Sequence, residues 1–299
     1  MRISSCFTLA FLWAAAAAAQ SNPILPETAT RVSDHVFAIV GWPNVAIVVG
    51  SGATLVVDTG LGPRNGATIA RVANKLASNP KLFLTTTHFH PEHASGVQGF
   101  PPGTILIRDA VQQEEMAQHG AEMIDLFSKR SAQFGELLAG VKLRSPDIVF
   151  TSEATLDLGG VTARLMWLGA GHTKGDELIF VSPDSTLVSG DIVESKLVPS
   201  IPSADASVSG WLAILDKLAP LAPRYVVPDH GDLGDGSLIA KERDFITGVR
   251  SRALALKAQG MSADDAGKQL AVELKTTYPD WPNLSPVANL VRRVFAEPQ

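Results

Sequence analysis

The chain has 299 residues, of which 45% are hydrophobic and 18% charged, a balance typical of a globular protein that buries a large core. The formal net charge is −5 and no basic run is present, which argues against a nucleic acid partner. A chain of this length forms one or two domains, and α/β folds of this size often form one.

The N-terminal segment, residues 1–19, is predicted to be a signal peptide. Arg2 supplies a positive charge, and Phe7–Ala19 is an almost unbroken apolar run whose final alanines offer small residues for cleavage. Because a membrane span needs about 20 apolar residues, we expect a periplasmic or secreted protein with no membrane anchor after cleavage. Cys6 is the only cysteine, so cleavage would leave nitrogen and oxygen as the metal-binding atoms.

The first half of the chain alternates strand and helix signals. Residues 20–34 are predicted to be a linker that leads into a domain over residues 35–299. Short β-rich runs separated by turn residues predict three strands, in HVFAIVG, AIVVGSG and ATLVVDTG. Apolar spacing predicts a helix over 65–78 that begins at Asn65. The next predicted strand, KLFLTTT, leads directly into a histidine-rich stretch.

The second half continues the alternation. Residues 109–140 carry helical patterning, and VFTSEATLDLGGVTARLMWLG predicts two strands around a Gly-Gly turn. ELIFVSP and STLVSGD predict a further strand pair, and RYVVPDHG predicts a final strand that ends near a histidine. Helices are predicted over 207–219, 237–259 and 262–275. Alternation in both halves predicts an α/β layered architecture.

The stretch HFHPEH, residues 88–93, concentrates metal-binding residue types. In a strand, His88 and His90 would point to the same face because side chains alternate. Pro91 ends regular pairing, so Glu92 and His93 would face the space beyond the strand. Imidazole and carboxylate ligands suit zinc. The stretch therefore predicts a metal site; a solvated polar loop is the alternative, and the hydrophobic strand before it argues against that alternative.

Four motifs in order resemble the metallo-β-lactamase superfamily. They are HFHPEH, GHTKGD with His172, SGDIV with Asp191, and VPDHG with His230. The resemblance covers about residues 35–232 and implies the α/β metallo-β-lactamase fold, a four-layer αβ/βα sandwich. The family motif HxHxDH usually has aspartate where this chain has Glu92, and glutamate is longer by one carbon–carbon bond of about 1.5 Å.

The resemblance implies two metal positions, filled by two zinc ions or alternatively by iron or manganese. The ligands implied for the first position are His88, His90 and His172. Those implied for the second position are Glu92, His93 and His230, with Asp191 bridging the two metals. Glu92 and Asp191 are also the catalytic candidates, since Glu92 would orient the nucleophile and shuttle its proton.

Three further residues carry open interpretations. Asp58, in LVVDTG, either steadies the metal ligands, as the resemblance implies, or is a turn aspartate. Asp229 occupies a position where many relatives have glycine, and its carboxylate would add charge behind the ligands. Lys196 either meets a substrate carboxylate or is an ordinary surface lysine.

The function that the resemblance implies is hydrolysis of a small ester, lactone, thioester or amide by metal-bound hydroxide. Because SGDIV contains no cysteine, the β-lactamase subclasses that use one are excluded, but export permits β-lactam hydrolysis as an alternative. An iron-dependent persulfide dioxygenase-like enzyme and a non-catalytic binding module rank lower. The expected partner is a small-molecule substrate, walled by residues 100–150 and by the tail from residue 233.

Overall fold

The computed structural model describes residues 22–77, 79–201 and 206–298. The predicted signal peptide, with Cys6, lies outside these residues. The described strands form two sheets, one of seven strands in chain order and one of five strands in the order β12-β11-β10-β9-β8. The first sheet contains β1 (Thr30–Arg31), β2 (Val36–Ile39), β3 (Val45–Val49), β4 (Thr54–Val57), β5 (Leu82–Thr85), β6 (Ile105–Asp109) and β7 (Ile148–Phe150). The second contains β8 (Glu153–Asp157), β9 (Thr162–Trp167), β10 (Glu177–Ser182), β11 (Thr186–Gly190) and β12 (Tyr225–Pro228).

Helices cover the outer faces of both sheets. The described helices are α1 (Gly62–Leu76), α2 (Pro91–Ala94), α3 (Ala110–Ser128), α4 (Ala132–Leu138), α5 (Val208–Leu218), α6 (Ser237–Ala258), α7 (Ala263–Thr277) and α8 (Val287–Ala296). None of the helices in the described ranges has the combination of length and apolar character that crossing a membrane requires.

Three apolar cores account for the layers. Along β3, Val45 and Ile47 pack towards α1, whereas Ala46 and Val48 pack towards the second sheet. A strand buried on both faces is apolar throughout, which explains the uninterrupted run VAIVV. A third core lies between the second sheet and helices α5 to α8, and it contains the fully buried Trp211. The order helix, sheet, sheet, helix confirms the predicted αβ/βα sandwich.

Parallel strand pairs bring the motif residues to common edges. β4 and β5 are parallel neighbours, so Asp58 after β4 and the histidine-rich stretch after β5 share one edge. β11 and β12 are also parallel, which places Asp191 beside the end of the strand before His230. The Glu177 backbone N–H donates to the Thr87 carbonyl at 2.7 Å and joins the two sheets at this edge.

The predicted start of the first helix is wrong. Helix α1 begins at Gly62 rather than at Asn65, and Pro63 occupies its first turn, where the missing N–H is tolerated. Asn65 is buried inside the helix, and its amide oxygen accepts from the Leu25 backbone N–H at 3.0 Å. The described part of the predicted linker, residues 22–34, thus contacts the domain.

Other predicted boundaries shift by a few residues. β5 ends at Thr85, so the segment from Thr86 to His90 is irregular rather than strand. The helical region over 109–140 is divided into α3 and α4 by a break after Ser128. β1, α2, β6 and α8 were not predicted, and β1 lies within the predicted linker.

Candidate metal centre

The structure brings all seven predicted metal ligands together. The donor atoms of these ligands and of Asp229 form three groups, and within each group all donor atoms lie within 4.8 Å of one another. Their members are His88, His90 and His172; His88, His93, Asp191 and Asp229; and Glu92, His93 and His230. Donors from four separate loops therefore meet in one cluster, as the motif order predicts.

The first group consists of three buried imidazoles. His90 Nδ1 lies 2.9 Å from His88 Nε2 and 3.2 Å from His172 Nε2. Burial and the neighbouring imidazoles lower the pKa of His88 and His90 well below the ordinary value, and burial also lowers that of His172. The three rings are consequently neutral, which is the form that binds metal.

Asp191 lies between the histidines of the two halves. Its Oδ2 is 3.3 Å from His172 Nε2, and its Oδ1 is 3.5 Å from His230 Nε2 and 3.9 Å from His93 Nε2. Burial opposes ionisation of Asp191, but the surrounding imidazoles lower the pKa of this carboxyl below its ordinary value. A carboxylate in this position can contact cations on both sides.

Several buried donor atoms in the cluster have no hydrogen-bond partner among the described residues. They are His90 Nε2, Glu92 Oε2, His93 Nε2 and Asp191 Oδ1. Leaving a buried polar atom unpaired costs about 1–3 kcal/mol, so a cluster of four calls for a ligand that pairs with them. Nitrogen and carboxylate donors at this spacing fit divalent cations such as zinc.

Two buried carboxylates fix the orientation of His93. Its Nδ1 lies 3.0 Å from Asp58 Oδ2 and 3.2 Å from Asp229 Oδ2. Burial opposes protonation, yet the two acids raise the pKa of His93 above the ordinary value. Such contacts keep the proton on Nδ1 and leave Nε2 directed to the cluster. The geometry favours the ligand-steadying interpretation of Asp58.

Thr87 connects these two acids and was missed by the sequence reasoning. Its backbone N–H donates to Asp58 Oδ1 at 2.7 Å, and its hydroxyl lies 2.8 Å from Asp229 Oδ2. Burial and the nearby Asp58 raise the pKa of Asp229 to about 8. This direction favours a proton shared within the Asp58 and Asp229 pair, which reduces repulsion between the two acids.

A second set of buried acids holds the loop that carries His172. Asp176 accepts hydrogen bonds from the backbone N–H groups of Thr173 at 3.0 Å and Gly171 at 3.1 Å. Glu115, from α3, accepts from the Gly175 backbone N–H at 2.8 Å. Asp176 belongs to the GHTKGD motif, whereas the helical pattern around Glu115 gave no signal of this role.

The cluster opens into a cavity of about 300 Å³. Met123, Leu126 and Phe127 of α3 form one wall, and Asn283 and Pro286 of the C-terminal tail contribute to another. Both segments predicted as substrate walls therefore line it.

Two further residues bear on the surroundings of the cluster. Trp42 stands beside the cluster, with its ring centre 5.7 Å from that of His230. Lys196 forms an ion pair with Asp280 at 3.4 Å and is not among the lining residues that the structure describes. This ion pair favours the interpretation of Lys196 as an ordinary surface lysine.

Curated relatives of the chain include hydrolases. A metallo-β-lactamase type 2 of Bacteroides fragilis is 26% identical over 234 residues, covering 73% of this chain and 84% of the relative. An acyl-coenzyme A thioesterase of Gallus gallus is 26% identical, covering 62% of this chain and 72% of the relative. A linear primary-alkylsulfatase of a Pseudomonas species is 21% identical, but this chain spans only 46% of its length.

Solved structures share the fold at low sequence identity, and a family model matches most of the domain. A metallo-β-lactamase from Pontibacter korlensis has a TM-score of 0.60 at 19% identity, covering 74% of this chain and 98% of that one. A sec-alkylsulfatase from a Pseudomonas species has a TM-score of 0.69 at 14% identity, covering 90% of this chain and 50% of that one. The model of the metallo-beta-lactamase superfamily matches residues 40–230, and the chain therefore belongs to this superfamily.

Proposed function

We propose that the protein is a dinuclear zinc hydrolase that cleaves a small ester, lactone, thioester or amide. The observation that carries this proposal is the convergence of seven residues with nitrogen and oxygen donors, five of which line a cavity. Four buried donor atoms of these residues lack a hydrogen-bond partner among the described residues. The relatives named as a β-lactamase and as a thioesterase support carbonyl substrates.

The proposed ligand sets follow the contacts in the cluster. The first zinc would be held by His88, His90 and His172. The second would be held by Glu92, His93 and His230, with Asp191 shared between the two. Two bound zinc ions would lower the pKa of a water molecule and polarise the carbonyl oxygen of the substrate.

Glu92 is proposed to hold and move the proton of the attacking water. Its side chain is only 6% exposed and its Oε2 has no described partner. In the metal-free chain burial raises the pKa of Glu92 to about 7, and a carboxyl placed beside the attacking water is suited to general acid–base catalysis. Asp191 is proposed to fix the position of one ligand set relative to the other, because it contacts imidazoles of both sets.

Hydrolysis of β-lactams is the second candidate. The specific observation in its favour is the 26% identity to the Bacteroides fragilis metallo-β-lactamase over 84% of that relative. The cavity of about 300 Å³ accommodates a small cyclic amide as well as an ester or lactone.

Metal analysis and turnover of the full chain test both candidates. We expect two zinc ions per chain and chelator-sensitive turnover of a lactone, ester or thioester with kcat/KM above about 10⁴ M⁻¹s⁻¹. The same value for a β-lactam would establish the second candidate. A single iron ion would favour the oxygenase alternative, and turnover that resists chelation would overturn the proposal.

A further inference from the structure

One face of helix α3 lines the same cavity as the histidine cluster. Met123, Leu126, Phe127 and Arg130 all line the cavity together with His90. Their spacing is that of residues on one side of a helix. Arg130 lies just beyond the last residue of α3, and its backbone N–H still donates to the Phe127 carbonyl at 3.0 Å. The face is therefore an apolar strip that ends in a cation.

The apolar part of this strip is incompletely covered. Phe127 is buried, but Leu126 is 55% exposed. Leu197 and Pro286 line the same cavity. Covering apolar surface is worth about 25 cal/mol per Å². An apolar group of a bound molecule would therefore be stabilised between these side chains.

Arg130 supplies a positive charge at the end of the strip. Its guanidinium carbon lies 3.3 Å from the centre of the Phe127 ring, which holds the side chain at the cavity wall. Its guanidinium has no ion pair with a carboxylate of the described residues, whereas Arg144 is paired with Asp147 at 2.6 Å. Partial burial lowers the pKa of Arg130 and the charge of Glu92 raises it, but a guanidinium stays charged at neutral pH.

The remaining charged residues of the cavity wall are acids. Glu92, Asp191 and Glu194 all line it. Glu92 and Asp191 are assigned to the zinc ions, whose charge would offset theirs. Away from these ligands, Arg130 is the one arginine or lysine among the described lining residues, and it can pair with an anionic group of a bound molecule. A guanidinium also binds a carboxylate through two parallel hydrogen bonds.

We propose that Arg130 determines substrate specificity: the substrate carries a carboxylate that pairs with Arg130, and an apolar portion of several carbons that packs on Leu126 and Phe127. The scissile carbonyl then lies at the histidine cluster. This inference rests on the proposed hydrolytic function and deepens it by naming the substrate class. Arg130 acts in binding and takes no part in bond cleavage.

Two esters that differ mainly in a terminal carboxylate test this proposal with the zinc-loaded full chain. They are p-nitrophenyl hexanoate and the p-nitrophenyl monoester of adipate. We expect the adipate ester to have a kcat/KM at least about tenfold higher, because its carboxylate would form charge-assisted hydrogen bonds with Arg130. Arg130→Gln should remove this preference mainly by raising KM, and Arg130→Lys should retain part of it.

Arg164→Gln is a matched control. Its guanidinium also faces a phenylalanine, at 5.9 Å from the centre of the Phe180 ring, but it lines a different cavity. We expect this variant to have the same kcat/KM for each ester as the unaltered chain. If Arg130→Gln lowered kcat/KM equally for both esters, Arg130 would act through Glu92 rather than by binding the substrate carboxylate. That result would overturn the proposal.

A binding measurement separates this inference from the proposed hydrolysis. Calorimetry on the metal-free full chain, with phenylbutyrate and phenylbutanol as probes, should show tighter binding of the acid and loss of that difference in Arg130→Gln. If no carbonyl substrate is cleaved but the difference depends on Arg130, the hydrolase proposal fails and carboxylate recognition stands. The inference fails, and the hydrolase proposal stands, if the adipate and hexanoate esters are cleaved equally well and phenylbutyrate binds the unaltered chain and Arg130→Gln with equal affinity.

Discussion

His93 and Asp58 form a fully buried pair, with His93 Nδ1 3.0 Å from Asp58 Oδ2 and neither side chain accessible to solvent. His93 lies in the short helix α2 that follows β5, whereas Asp58 directly follows β4. The pairing leaves His93 Nε2 directed at the metal cluster, where it has no described hydrogen-bond partner. Asp58 is therefore a positioning residue whose removal tests how the second half of the site is built.

Asp58→Asn should weaken zinc binding by about 10–100-fold, the usual effect of removing an outer partner of a histidine ligand. Competitive zinc titration of the folded chain measures this. Asp184→Asn is the matched control, since Asp184 Oδ1 lies 2.7 Å from His35 Nδ1 outside the cluster. Similar zinc affinities in the two variants would contradict the positioning role.

Replacing a ligand of the first group should have a larger effect. His88→Ala and His172→Ala should each lower zinc content and reduce kcat/KM by more than about a hundredfold, since even an outer partner accounts for about 10–100-fold. His35→Ala, which removes a histidine paired with Asp184, should keep both metal and activity. Full metal content in either ligand variant would show that the ligand assignment is wrong.

Glu92→Asp tests whether the site requires the longer acid. The shorter side chain moves the carboxylate back by about 1.5 Å, so we expect zinc to stay bound at the first position and kcat to fall by about 10–100-fold. Metal analysis and steady-state kinetics on the same preparation distinguish the two effects. Complete loss of both metal ions would mean that the whole centre depends on the reach of glutamate.

Glu242 should make the metal-free chain less stable as pH rises. This residue of α6 is 3% exposed and its Oε1 has no described partner. Burial raises its pKa well above the ordinary 4.5, although the Glu194 backbone N–H donates to it. Since the folded state binds the proton more tightly than the unfolded state, its stabilising effect is complete below pH 4.5 and is lost as pH rises towards the folded pKa.

Glu242→Gln should therefore raise the Tm at pH 8 and change it much less at pH 5. Each tenfold difference in proton affinity corresponds to about 1.4 kcal/mol, or about 2–4 °C in a large domain. Thermal unfolding at both pH values in the presence of chelator measures the effect. The same Tm difference at both pH values would mean that ionisation of Glu242 is not its cause.

Local sequence patterns predicted the candidate metal ligands better than the residues that hold those ligands in place. His88, His90 and His93 lie within six residues beside an apolar strand, so their convergence required only a short segment to turn. Thr87 and Glu115 gave no such signal, because their roles depend on partners far away in the chain. Thr87 contacts Asp229, 142 positions away, and Glu115 accepts from Gly175, 60 positions away.

The error at Asn65 has the same origin. Asparagine is a preferred residue just before a helix, which favoured a start at that position. In the structure, its side chain instead satisfies the backbone of Leu25 and Pro23, about 40 positions earlier in the chain. A tertiary contact thus overrode a local preference.

The joining of two sheets at one edge has a mechanical consequence. His88, His90, Glu92 and His93 follow a strand of the first sheet, whereas His172, Asp191 and His230 belong to loops of the second. Cations held by both sets would fasten one sheet to the other, in addition to the bond between Glu177 and Thr87. A shift of one sheet along the other would move the two sets of donors apart, so the apolar packing between the sheets sets the dimensions of the donor cluster.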